Sequence, residues 1–199
     1  MLISHRYKFI CINIPKTGSG TRENAFKAYF DLWFLNEKFK TKISNPRHSP
    51  AYLAKQEFLE NGWAWDDYFK FTFVRNPWYR YISFYNMWIN NGATRKDFNS
   101  WLGHDSFLGS DYQSFYYLEN NELILDKIYM YEDLENSISE ICNTVGIKES
   151  LLPLHNPGNV PMGGTKYDLS KYYTNQNING MVKSLEYDVI NRMGYIMPE

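Results

Sequence analysis

The chain has 199 residues, 44% of them hydrophobic and 22% charged, and a formal net charge of -1, which is the balance of a globular domain and excludes a disordered or fibrous chain. There is no basic excess or stripe of the kind a general nucleic-acid binder carries. No apolar run approaches the ~18 residues of a membrane span.

Tyr7 to Ile14 reads as a buried strand rich in Ile and Phe. It runs into the loop Pro15-Lys16-Thr17-Gly18-Ser19-Gly20-Thr21, and not into a small-residue cleavage site. Arg22 to Phe30 follows as a helix, with Ala25, Phe26 and Tyr29 at helical spacing. Ser49-Pro50 supplies an N-cap and a proline at the first helical position, predicting a helix to about Asn61 that stops at Gly62. Phe69 to Val74 is a second strand and Pro77 to about Asn90 a helix. Lys127 to Tyr131 is a third strand, after which Asp133 caps a helix ending near Val145, before Gly146. Leu152 to Thr165, dense in Pro, Gly and Asn, reads as a loop. A last helix starts at Thr174 or Asn175 and reaches roughly Arg192. Strands alternating with helices predict a single α/β domain over 1–199 with a mainly parallel sheet. Cys11 and Cys142 lie in apolar runs, read as buried free thiols and imply a reducing compartment. The chain is therefore expected to be soluble and cytoplasmic.

Strand, glycine loop, helix is the order that points backbone N–H groups and a helix N-terminus at an anion. Gly18 and Gly20 let the backbone approach a ligand closely. Lys16 offers a point charge for a phosphate or sulfate oxygen, and Thr17, Ser19 and Thr21 add hydroxyls. The lysine precedes both glycines, so the loop is not a G-x-x-x-x-G-K-[ST] nucleotide loop. A plain strand-to-helix turn with an exposed lysine is the competing reading. Arg75 stands where the second strand ends, the position at which open α/β sheets bind ligands. Ser83 lies about two turns into the next helix. Taken singly, Arg75 could be a structural ion pair and Ser83 a packed small residue.

Together, Pro15-Lys16-Thr17-Gly18 and the segment Val74-Arg75-Asn76-Pro77-x-x-Arg80-x-x-Ser83-x-Tyr85 resemble the PAPS-dependent sulfotransferases, in their carbohydrate sulfotransferase branch. Tyr131-Glu132-Asp133-Leu134, and the tail from Tyr172-Tyr173-Thr174 to Gly194-Tyr195, extend the resemblance over nearly the whole chain. It implies a P-loop-like three-layer fold with helices on both sides of the sheet. By the same resemblance, PAPS is the donor and PAP the product, with no metal required. Lys16 would contact the sulfuryl group and the bridging oxygen. Thr17, Gly18, Ser19, Gly20 and Thr21 would hold the 5′-phosphate, and Arg75 and Ser83 the 3′-phosphate. Lys166, in Gly163-Gly164-Thr165-Lys166-Tyr167, would close over the donor. His48 best matches the family's histidine base and can take a proton near neutral pH. Glu23 is a competing base, and His104, in a Gly-flanked loop, is an alternative on the acceptor side. His5 and His155 read as structural.

The acceptor is expected to be a small molecule or a glycan, with Gln113 as a contact. Trp88, Trp101 and Tyr112 are either sugar-stacking rings or core. Golgi members of the family carry a membrane anchor and often disulfides, whereas this sequence has neither, so a bacterial or viral enzyme is expected. Two other readings compete with the resemblance. One is a P-loop kinase or NTPase, with Leu123-Ile124-Leu125-Asp126 as a strand ending in a magnesium-binding aspartate. The other is a non-catalytic nucleotide- or glycan-binding domain of the same fold.

Overall fold

A computed structural model describes residues 1–31, 46–104, 112–148 and 167–198. The chain divides into two compact units, Met1–Val74 with Tyr116–Gly164, and Arg75–Phe115 with Thr165–Glu199.

The first unit is built on a four-stranded sheet in the order β1-β2-β3-β6. β1 is Leu2–Ser4, β2 Phe9–Ile12, β3 Phe69–Val74 and β6 Lys127–Met130. β2, β3 and β6 are parallel, in the register Phe9↔Phe69 and Phe73↔Tyr129, and β1 pairs antiparallel to β2. Alternation sends Phe9, Cys11, Phe71, Phe73 and Tyr129 to one face. There they form a core with Ala25 and Phe26 of α1 (Ser19–Phe26) and Leu134, Ile138, Ile141 and Cys142 of α5 (Leu134–Val145). Ile10, Ile12, Thr72 and Val74 on the opposite side are buried as well. Burial on both faces explains why these strands read as continuous apolar runs. Each fully buried Phe contributes roughly 1.5–3 kcal/mol, so the ring cluster dominates this core. The architecture is α/β, with a mainly parallel sheet flanked by helices.

Several boundaries moved. β1 was not expected, because three residues carry no readable period. α1 starts at Ser19 rather than Arg22, since Gly18 adopts a left-handed conformation that begins the helix. α2 (Ala51–Glu60) begins one residue later than Ser49-Pro50 implied, with Pro50 itself in the extended N-cap position. Asp133 occupies the N-cap of α5, but its side chain makes no capping bond there. It accepts from Asn136 Nδ2 at 2.7 Å instead. His5 is structural, with its Nδ1 2.7 Å from Tyr68 Oη and its ring edge-on to Trp63.

The competing reading of Leu123 to Asp126 as a strand ending in a magnesium-binding aspartate is not met. Leu123 ends a two-residue strand, β5 (Glu122–Leu123), paired antiparallel with β4 (Leu118–Glu119). Asp126 then precedes β6, at the N-terminal edge of the parallel strands, whereas the glycine loop leaves the C-terminal end of β2. The Asp126 carboxylate accepts from the Lys70 backbone N–H at 2.7 Å and pairs with Lys70 Nζ at 3.1 Å.

The second unit is helical, with α3 (Pro77–Asn90), α4 (Phe98–His104), α6 (Gln176–Leu185) and α7 (Tyr187–Met193). Asn76 caps α3, its Oδ1 accepting from Trp78 N at 3.2 Å. α4 was not anticipated, and His104 ends this helix rather than standing in a loop. Trp101 is core. The single last helix is in fact two, divided at Glu186, whose φ of -103° and ψ of 21° depart from helical values although its N–H still donates to Val182 O and its C=O accepts from Ile190 N. The Glu186 carboxylate is buried at this point. Its Oε1 pairs with Arg80 at 3.0 Å, both side chains 0% exposed, and accepts from Tyr81 Oη at 3.1 Å. Glu186 Oε2 accepts from Gln113 N at 3.1 Å.

Removing one partner of such a pair leaves an uncompensated buried charge, which costs about 3–5 kcal/mol. Glu186→Ala is accordingly expected to lower the urea unfolding midpoint sharply. A midpoint within error of the parent would show that the pair contributes nothing net.

Candidate functional site

β2 ends at Ile12, and the chain turns at once through Asn13 to Thr21. Lys16 and Gly18 both have positive φ, 65° and 78°. At Gly18 a side chain is excluded twice over. The backbone is left-handed, and a Cβ would lie 2.8 Å from Tyr131 Cδ2 and closer still to Cε2. Gly20 has no such constraint, the nearest atom to its imagined Cβ being Arg47 Nη2 at 3.8 Å. Thr17 is fully buried. Its Oγ1 donates to Ile14 O at 2.9 Å and accepts from Arg22 Nη2 at 3.2 Å. The Thr17 hydroxyl therefore faces the core and braces the loop, unlike the ligand-facing role expected of it. Ser19, Gly20 and Thr21 form the first turn of α1, where unpaired N–H groups and the helix dipole favour an anion.

Asn13 ties this loop to the segment before α2. Its Nδ2 donates to Glu23 Oε1 at 3.0 Å. Glu23 in turn holds Arg47 with both oxygens, Arg47 Nε at 2.7 Å and Nη2 on the other. The neighbouring His48 places Nδ1 2.8 Å from the Asn13 carbonyl. A carbonyl only accepts, so Nδ1 carries the proton and the neutral ring leaves Nε2 as an acceptor. Burial pushes His48 from 6.5 down to about 4, partly offset by that hydrogen bond. Glu23, the competing base, has its carboxylate occupied by Arg47 and Asn13.

In the second unit, Arg75 is the first residue after β3 and is 6% exposed. Its backbone is held from both sides by one side chain: Arg75 N donates to Gln113 Oε1 at 2.8 Å, and Gln113 Nε2 donates to Arg75 O at 2.9 Å. Gln113 is fully buried. The acceptor contact expected of it gives way to a strand-like amide clamp. Ser83 is half-buried on α3, one turn beyond Tyr79. Tyr112 stacks edge-on to Phe115, and Trp88 tilts against Trp101.

The family model described as "Sulfotransferase family" matches residues 1–189. The chain belongs to the sulfotransferase family. A solved bacterial structure, a sulfotransferase from Alicyclobacillus acidocaldarius, is similar at 12% identity and a TM-score of 0.48, covering 90% of this chain and 95% of that one. No curated protein matches the chain.

Among the site residues expected of this sulfotransferase, the first unit gathers Lys16 to Thr21 and brings His48 against the base of their loop. Lys166, its glycine-rich neighbours 163–165 and His155 lie outside the described residues. Sequence reading missed Asn13, Arg22 and Arg47 in the first unit and Glu186 in the second. Contacts between residues well separated in sequence reveal Asn13, Arg47 and Glu186, whereas Arg22 binds Thr17 only five positions away, and a charged residue directly after a glycine loop was a usable signal for it. Among the described residues, no group of three His, Cys, Asp or Glu could hold a metal ion, and no helix is long and apolar enough to cross a membrane.

Gly18→Ala in this sulfotransferase is expected to lose on the order of 1–2 kcal/mol from the left-handed backbone alone, and more from Tyr131. Thermal unfolding should report a lower Tm, and Gly20→Ala should leave it almost unmoved. Equal effects at the two glycines would contradict the loop geometry.

Proposed function

We propose that this sulfotransferase moves the sulfuryl group of PAPS to a hydroxyl of a small-molecule or glycan acceptor, with His48 as the base. The observation that carries the reading is the His48 Nδ1 bond to the Asn13 carbonyl. It fixes a neutral tautomer with Nε2 as acceptor, at the foot of an anion-binding loop.

The residues of that loop suit a phosphosulfate. Gly18 lets backbone approach where any side chain would collide, and the start of α1 offers N–H donors. In the transfer, the acceptor oxygen forms a bond to sulfur as the bond from sulfur to the bridging phosphate oxygen breaks. The acceptor proton passes to His48 Nε2 and the electron pair leaves on PAP. Lys16 and the N–H groups of residues 17–21 stabilise the charge growing on the leaving phosphate, a preorganised electrostatic role. Thr17 contributes through its backbone only, since its hydroxyl is engaged with Ile14 and Arg22.

Arg75 and Ser83 are proposed for the 3′-phosphate, and Lys166 for a further donor contact. The segment Val74-Arg75-Asn76-Pro77 supports the first of these, with the Gln113 clamp holding the Arg75 backbone in one position. The family match across 1–189 supports one functional domain spanning both units. A glycan is favoured among acceptors only by the resemblance of the paired motifs to the carbohydrate branch.

His48→Ala is expected to abolish transfer from labelled PAPS to an acceptor panel while PAP affinity stays within about twofold. In the parent enzyme the acid limb of kcat/KM should fall near pH 4, not 6.5, because burial keeps the imidazole neutral down to about 4. The same depression means that the unfolded chain takes up this proton first. The contribution of His48 to stability is therefore complete above about 6.5 and is lost as the pH falls towards 4. A fully active His48→Ala enzyme would remove His48 from the mechanism.

Arg75→Ala is expected to weaken PAP by about tenfold or more, the scale of a lost charge-assisted hydrogen bond. Adenosine 5′-phosphosulfate, which lacks the 3′-phosphate, should bind nearly as before. Calorimetric titration of both nucleotides decides this, and equal losses would contradict the assignment.

A further inference from the structure

We infer that Arg22 is a buried counter-charge for the anion held in the loop after β2, so that the bound phosphate or sulfate completes an ion pair that the protein leaves open. The identity of that anion as part of PAPS rests on the function proposed above.

Arg22 is fully buried. Its guanidinium donates to the Thr17 carbonyl through Nη1, and through Nη2 to Thr17 Oγ1 at 3.2 Å and Asn13 Oδ1 at 3.5 Å. It lies over the Phe73 ring at 4.6 Å. Its Nε is buried with no hydrogen-bond partner. Among the described residues no carboxylate forms an ion pair with it, and the adjacent Glu23 is turned to Arg47 and Asn13. Burial lowers the Arg22 pKa, and the nearby Cys11 and Glu23 side chains offset this only in part.

A cation in such a place is costly unless an opposite charge compensates it. Three neutral oxygens do so only in part. The guanidinium sits directly beneath the segment that is built to hold an anion, and it also sets how that segment is presented. A trans peptide points its C=O and the following N–H in opposite directions. By drawing the Thr17 carbonyl inward, Arg22 turns the Gly18 N–H away from the core. One side chain thus supplies charge from below and orients a donor above.

The test uses the full-length protein with PAP and inorganic pyrophosphate as probes, titrated calorimetrically, beside urea unfolding without ligand. Arg22→Met removes the charge. Arg22→Gln removes it while keeping an amide donor for Thr17. Both are expected to weaken PAP and pyrophosphate by about tenfold or more. Their ligand-free unfolding midpoints should hold or rise, because an uncompensated buried charge has been removed. Arg22→Lys should keep part of the affinity. Affinities within about twofold of the parent in either neutral variant would overturn the inference. So would a steep fall in ligand-free stability in both, which would make Arg22 a structural strut. A parent protein that binds pyrophosphate but not PAP would refute the donor reading, and the Arg22 comparison would then be decided on pyrophosphate. A parent that binds neither probe would refute both.

Discussion

The loop between β2 and α1 depends on one absent side chain. At Gly18 the backbone is left-handed and the ring of Tyr131, from the turn after β6, occupies the volume a Cβ would need. That contact joins the end of one parallel strand to the loop of another. It also sets where α1 begins, and so which N–H groups face outward. The core beneath it, Phe9, Phe71, Phe73 and Tyr129 against α1 and α5, fixes Tyr131 in turn. A loosened core would therefore be felt first in the geometry of the loop.

Each unit also carries a buried polar network. In the first, Asn13 is the junction: its side chain meets Glu23 and Arg22, and its carbonyl meets His48. In the second, Glu186 gathers Arg80, Tyr81 and Gln113, and Gln113 holds the Arg75 backbone. Buried polar contacts of this kind favour a single arrangement, and the cost of breaking them is high. Burial raises the Glu186 carboxyl while Arg80 and the hydrogen bonds oppose the rise. Neither network is needed to bury apolar surface. What they hold, the histidine tautomer in one unit and the Arg75 backbone in the other, consists of residues proposed for chemistry.

The two segments proposed for donor binding were legible because each is contiguous. Pro15 to Thr21 and Val74 to Ser83 carry their glycines, cations and caps in order, and β3 and α3 occur at the residues their patterns predicted. Where a competing or finer reading met the structure, the difference had a physical cause. Asp126 sat after an apolar run, yet it lies at the wrong edge of the sheet and is consumed by Lys70. Gln113 was polar in an aromatic setting and looked like a ligand contact, but its amide is spent on backbone. The last helix kept its period through Glu186, and no local signal announced the division there or the buried pairing of that carboxylate with Arg80.

The sequence by itself determined the α/β class, the parallel strands and the sulfotransferase resemblance. These are written in local periods and short motifs that each segment carries alone. Only the tertiary structure decided that Thr17 faces inward, that Glu23 holds Arg47, that His48 keeps its proton on Nδ1, and that Arg22 lies buried without a carboxylate. Those outcomes depend on which groups compete for each hydrogen bond once water is excluded, a competition decided by the folded geometry whether the partners are near in sequence, as Thr17 and Arg22 are, or far apart, as Asn13 and His48 are.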